Sequence, residues 1–202
     1  MRAQYAWLAA AIVSVSGCAH SDRTPDPVAV QPPANTARPM SETTAQGLAE
    51  FNERVTAYAA LHAKLEATLP PLPNETTPAV IDKHQRALAD LIVKARQGAK
   101  QGDIITPATQ QAFRQVLARV FTAQDGRELK ASILDENPGN VGLKVNGRYP
   151  DEIPLSTVPP QVLAALPKLP KDLEYRFIGD RLILLDVHAH TIADFMDKAF
   201  PL

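Results

Sequence analysis

The sequence predicts an α+β fold, with helices first and a small antiparallel sheet followed by a closing helix at the end. Two observations carry this. Between residues 46 and 136 apolar side chains recur every three or four positions, the period of one helical face. Past the turn signal Asn137-Pro138-Gly139-Asn140, the chain changes to short β-rich runs bracketed by glycine and proline. With 45% hydrophobic residues, positions 46–202 can bury one core and read as a single domain, helical over 46–136 and β-containing over 137–202.

The first element is an antiparallel helical hairpin. Leu48, Phe51, Val55, Tyr58, His62, Leu65 and Leu69 are spaced alternately three and four apart, and Pro70, Pro71 and Pro73 stop the helix. After Thr76-Thr77-Pro78, proline at the first turn starts a second helix with Ile81, His84, Leu88, Leu91 and Ala95 on its seam. Glu50 with Arg54, Asp82 with Arg86 and Asp90 with Lys94 are four apart and acid-first, the favourable order on a helix surface. Gly98 and Gly102 close the second helix. A third starts at Thr106-Pro107, carries Phe113, Val116, Leu117, Val120 and Phe121, and is broken at Asp125-Gly126; Arg127 to Asp135 add a short fourth.

In the β-containing part, Val141 to Arg148 read as a hairpin around Asn146-Gly147, with Pro150 confining its second strand to an edge. Five prolines between Pro154 and Pro170 leave room for one apolar helical turn, Val162 to Leu166. The clearest strand signal is Leu173 to Ile178 and Arg181 to Val187, joined by Gly179-Asp180. A last helix is expected from His190 to Phe200, with Ile192, Phe195, Met196 and Phe200 on one face.

The start of the chain carries a different kind of signal. Arg2 and an apolar run from Trp7 to Val13 have the layout of an export signal, too short for the roughly 20 apolar residues that span a bilayer. The run ends in Val15-Ser16-Gly17-Cys18, which resembles the lipobox of bacterial lipoproteins. The resemblance implies cleavage after residue 17 and a diacylglycerol on Cys18, the single cysteine of the chain. Ala19 in the next position implies outer-membrane sorting in a host with two membranes. Residues 18–45, rich in Pro, Ala and Thr, cannot bury enough surface to order themselves and are expected to be a lipid-anchored tether reaching up to about 90 Å.

Chemistry is harder to find. Twenty-one basic against 22 acidic side chains, without a basic cluster, exclude a nucleic-acid footprint and leave the membrane contact to the lipid. There is no Gly-x-Ser-x-Gly, no phosphate loop and no carboxylate pair with a supporting pattern, so no catalytic residue is assigned and no cofactor is expected. Two histidine arrangements remain. His62 and His84 face one another if the hairpin folds about Pro73, with Glu66 one turn beyond His62; they form either a metal or proton site or a pair of half-buried rim side chains. Asp186-Val187-His188-Ala189-His190, directly after a strand, would put both imidazoles on one side of an extended chain. This run resembles the first metal motif of amidohydrolases and of polymerase-and-histidinol-phosphatase enzymes. Those families supply their other ligands from later strands of a barrel, and only twelve residues follow His190 here. Tyr175, Phe177, Phe195 and Phe200 form an apolar set that either packs as core or receives a partner's peptide.

Residues 166 to 187, Leu-Pro-Lys-Leu-Pro-Lys-Asp-Leu-Glu-Tyr-Arg-Phe-Ile-Gly-Asp-Arg-Leu-Ile-Leu-Leu-Asp-Val, with Ile192-Ala193-Asp194-Phe195 behind them, resemble the C-terminal module of small exported bacterial proteins, some linked to nickel and cobalt homeostasis. The resemblance implies an envelope module. The expected function is a non-enzymatic, lipid-anchored envelope protein that binds an unidentified envelope partner. The alternatives are a periplasmic metal binder or sensor using His62, His84, His188 and His190, and a hydrolase with an unrecognised site.

Overall fold

A computed structural model describes residues 40–136, 141–155 and 157–201. Helix α1 (Glu42–Glu66) opens at Ser41, whose hydroxyl accepts from the Thr44 amide and satisfies one of the first-turn donors. The helix therefore takes in residues 42–45, which the composition assigned to the tether. The signal segment, Cys18 and the tether up to residue 39 lie outside the described residues. Helices α2 (Pro78–Ala95) and α3 (Pro107–Phe121) begin with proline after Thr77 and Thr106, as their sequence signals predict. Next come α4 (Gly126–Glu136) and the short α5 (Pro160–Ala165). The expected surface pairs Glu50–Arg54 and Asp82–Arg86 form at 2.9 and 2.8 Å.

The predicted face of α1 is buried through Phe51, Val55, Tyr58 and His62, but its main partner is α3 rather than α2. Gly47 makes this possible: a Cβ there would sit 2.6 Å from the Ala108 carbonyl oxygen, so only glycine lets the two helices approach so closely. On α2 the buried residues are Leu88 and Ile92, while Ile81 and Ala95 of the predicted seam are exposed. Periodicity identifies an apolar face without saying which neighbour receives it. Phe51, Phe113 and Tyr175 meet at centroid distances of 4.8 to 6.3 Å and join α1, α3 and the sheet.

The sheet is a three-stranded antiparallel meander of β1 (Leu173–Ile178), β2 (Arg181–Asp186) and β3 (Thr191–Met196). Its first turn is the predicted Gly179-Asp180, with Gly179 at φ 57° where an L side chain would be strained. Strand β3 replaces the helix expected from His190 to Phe200. The spacing of Ile192, Phe195 and Met196 suits a helix, but a helix would bury one face only, and all six β3 residues are buried. The apolar strand β2 also needs partners for the backbone groups of its second edge, which β3 supplies. A register shift opposite Leu184 and Leu185 leaves Ala193 unpaired and directs Asp194 to the loop before α3. There its carboxylate accepts the amides of Gly102, Ile104 and Ile105 at 2.7 to 3.0 Å.

The hairpin expected over Val141 to Arg148 does not close on itself. Its turn is centred on Val145-Asn146, with the Gly147 amide donating to the Lys144 carbonyl, and its second half pairs with β3 instead. The Asn146 amide donates to the Ile192 carbonyl, the Ile192 amide to Gly147 and the Tyr149 amide to His190, around a bridge between Arg148 and Thr191. Both sheet faces are consequently covered. Tyr175, Phe177, Leu182 and Leu184 face the helices, and Ile183, Leu185, Ile192 and Phe195 pack under Val145, Tyr149 and Ile153. The aromatic set singled out in the sequence is core, divided between the two faces: Phe200 joins Phe177 and Phe121, and Phe195 lies opposite. Among the described residues no helix is long and apolar enough to cross a membrane.

Candidate metal centre

Where the end of β2 meets the last turns of α1, the two histidine arrangements of the sequence become one site. Asp186, the last residue of β2, is fully buried and satisfied. Its Oδ2 accepts from the Tyr58 hydroxyl at 2.8 Å and from His62 Nδ1 at 2.7 Å, and its Oδ1 from the Ala189 amide at 2.9 Å. A carboxylate accepts only, so His62 carries its proton on Nδ1 and presents Nε2 to the site. That nitrogen is buried and has no hydrogen-bond partner among the described residues, although Glu66 Oε2 lies 3.3 Å away. His62 and Glu66 share a helix face because they are four apart.

The turn 187–190 brings in His188, whose Nδ1 is 2.8 Å from Glu66 Oε1 and whose ring centre is 5.6 Å from that of His62. One donor atom each from His62, Glu66 and His188 lies within 4.8 Å of the others. Two further groups border this trio. His84 Nε2, from α2, is 3.8 Å from Glu66 Oε1. Asp172 Oδ1, just before β1, is buried without a hydrogen bond and lies 3.7 Å from His188 Nε2. Sequence reasoning missed Asp172; its one signal is position, since residue 172 directly precedes a strand whose first residue, Leu173, pairs with Asp186.

No protein family, curated protein or solved structure matches the chain. The chemistry of the site therefore speaks through its own geometry and electrostatics. Burial works against protonation of His62, but the hydrogen bond and charge of Asp186, with Glu66 and Asp172 behind, overcome it and raise the pKa. Burial pushes the Glu66 carboxyl up, and the hydrogen bond and charge of His188 together with His62 pull it lower than usual. Tyr58 is raised by burial and by Asp186, which keeps it a donor.

His190 does not join the site. The run after β2 is a tight turn, not an extended strand, and His190 adopts φ 51°, so the two-residue alternation that would align it with His188 is lost. It packs edge-on to Tyr149, 3.7 Å from Asp151 Oδ1, and burial and then Arg148 lower its pKa. Beside the trio, an open cavity of about 570 Å³ is lined by Glu66, His84 and His188 and by Ala67, Leu69 and Leu72.

Proposed function

We propose that this protein is a lipid-anchored cell-envelope protein whose folded domain binds a divalent transition metal through His62 Nε2, the Glu66 carboxylate and His188. The observation that supports it is the buried Nε2 of His62, which makes no hydrogen bond among the described residues and lies 3.3 Å from Glu66 Oε2, with its opposite nitrogen fixed by Asp186. A carboxylate behind a histidine sets the tautomer and ring orientation and raises ligand basicity, as in carboxylate–histidine–metal arrangements. Two imidazoles and one carboxylate suit zinc, nickel, cobalt or copper better than calcium or magnesium. The spacing of His62 Nε2 and Glu66 Oε2 is already close to that of two ligands on one ion, whereas the His188–Glu66 hydrogen bond must be exchanged for metal contacts. This reading takes up the metal-binding alternative from the sequence, with Glu66 as a ligand and without His84 and His190, in place of the envelope protein partner expected first; the anchor on Cys18 remains part of the proposal.

The test is metal analysis and thermal unfolding of the purified full-length protein with zinc, nickel and cobalt. A metal at a hundredfold excess over its Kd stabilises by about 2.7 kcal/mol, several degrees in Tm for a chain of this size. Glu66→Gln and His188→Ala, at incompletely buried positions, should remove that shift while leaving the metal-free protein folded. Absence of bound metal and of any metal-dependent shift would refute the proposal.

A further inference from the structure

The trio is built asymmetrically. His62 and its support, Asp186 and Tyr58, close the inner side, while Glu66 and His188 stand on the border of an open cavity of about 570 Å³. A metal held there would have three protein donors, two of them on the cavity border, fewer than the four protein ligands of closed structural sites, and so would suit an exchangeable position.

The cavity has two kinds of wall. One is polar and charged: His84, Asp172 and Lys171, whose ammonium lies 3.9 Å from Asp172 Oδ1. The other is apolar, made by α1 and the proline-rich segment after it, and includes Leu72, a large apolar side chain that is 40% exposed. Its volume is within the range of small-molecule sites. Glu66 and the Asp186 carboxylate behind His62 balance the two charges of a divalent ion, and Lys171 offsets Asp172, so the head group is selected by its ability to donate to the metal and not by net charge.

We propose that the metal at this site is held in a ternary complex with a chelating ligand that has an apolar body, its head on the metal and its body against the wall around Leu72. This rests on the metal-binding reading of the same residues. The probes are acetohydroxamate and octanohydroxamate, which share a metal-binding head and differ in their apolar tail, titrated calorimetrically into the full-length protein with and without zinc.

The zinc-loaded protein should bind octanohydroxamate at least about tenfold more tightly than acetohydroxamate, the contribution of roughly two buried methylenes. Leu72→Ser, at an exposed position, should remove most of that preference and leave zinc affinity unchanged. Metal-free protein should bind neither probe. If zinc binds but the two hydroxamates bind equally, or neither binds, the ternary complex is overturned and the metal site stands. If zinc does not bind, the metal site itself falls.

Discussion

Asp186 is the residue on which the site turns, because one buried carboxylate joins α1 to the sheet through Tyr58 and His62 and also holds the turn that carries His188. Asp186→Ala leaves two buried donors and a charge-capable imidazole without their acceptor, and is expected to cost about 3–5 kcal/mol in chemical denaturation. Asp186→Asn keeps the shape but removes the charge that supports His62, so it should fold better than the alanine variant and yet bind metal more weakly. His62 gives the domain a pH dependence of definite sign. Its folded pKa is raised above the ordinary 6.5, so its stabilising contribution is complete below that value and is lost as pH rises through the folded one. Urea unfolding of the metal-free protein should show this decline with rising pH, and His62→Asn should flatten it. With zinc present the trend should reverse, because metal and proton compete for Nε2 and binding releases the proton. A zinc-loaded protein that loses stability over the same rise in pH would contradict the assignment of Nε2 as a ligand.

Among the elements, α1 is the one whose environment the sequence misdirects. The face from Phe51 to His62 is legible in the spacing, because burial of one helical stripe imposes it. The partner is not legible, because α2 and α3 both offer an apolar stripe and the choice depends on how closely each can approach. Gly47 against Ala108 is the contact that favours α3. Gly47→Ala should therefore destabilise, by about 1–3 kcal/mol, despite the better helix propensity of alanine. A neutral or stabilising result would show that the two helices can separate at no cost. Strand β3 teaches the converse. Ile192, Phe195 and Met196 satisfy a helical spacing and a strand equally well over so short a stretch, and the open edge of β2 decides between them. Asp194 was visible only as part of a resemblance; its role as acceptor for Gly102, Ile104 and Ile105 depends on a bulge that no local pattern announces.

At the scale of the whole molecule, a domain of the described residues would work at a distance from a membrane if Cys18 is acylated. Cys18→Ser should abolish lipid labelling and release the protein from membranes after signal removal; continued membrane retention would argue against the anchor. The sequence by itself determined that helices precede a small antiparallel sheet, where α2 and α3 start and the Gly179-Asp180 turn, because proline, glycine and periodicity act through local backbone geometry. It also determined the candidates for the site, since His62 with Glu66 on one helix and Asp186 with His188 after one strand are short-range patterns. Only the tertiary structure decided that these two patterns are one site, that Asp172 borders it and that His190 does not belong. Residues 62 and 186 meet because α1 packs against the sheet, and contacts so far apart in the chain depend on which buried faces fit together, which local sequence does not encode.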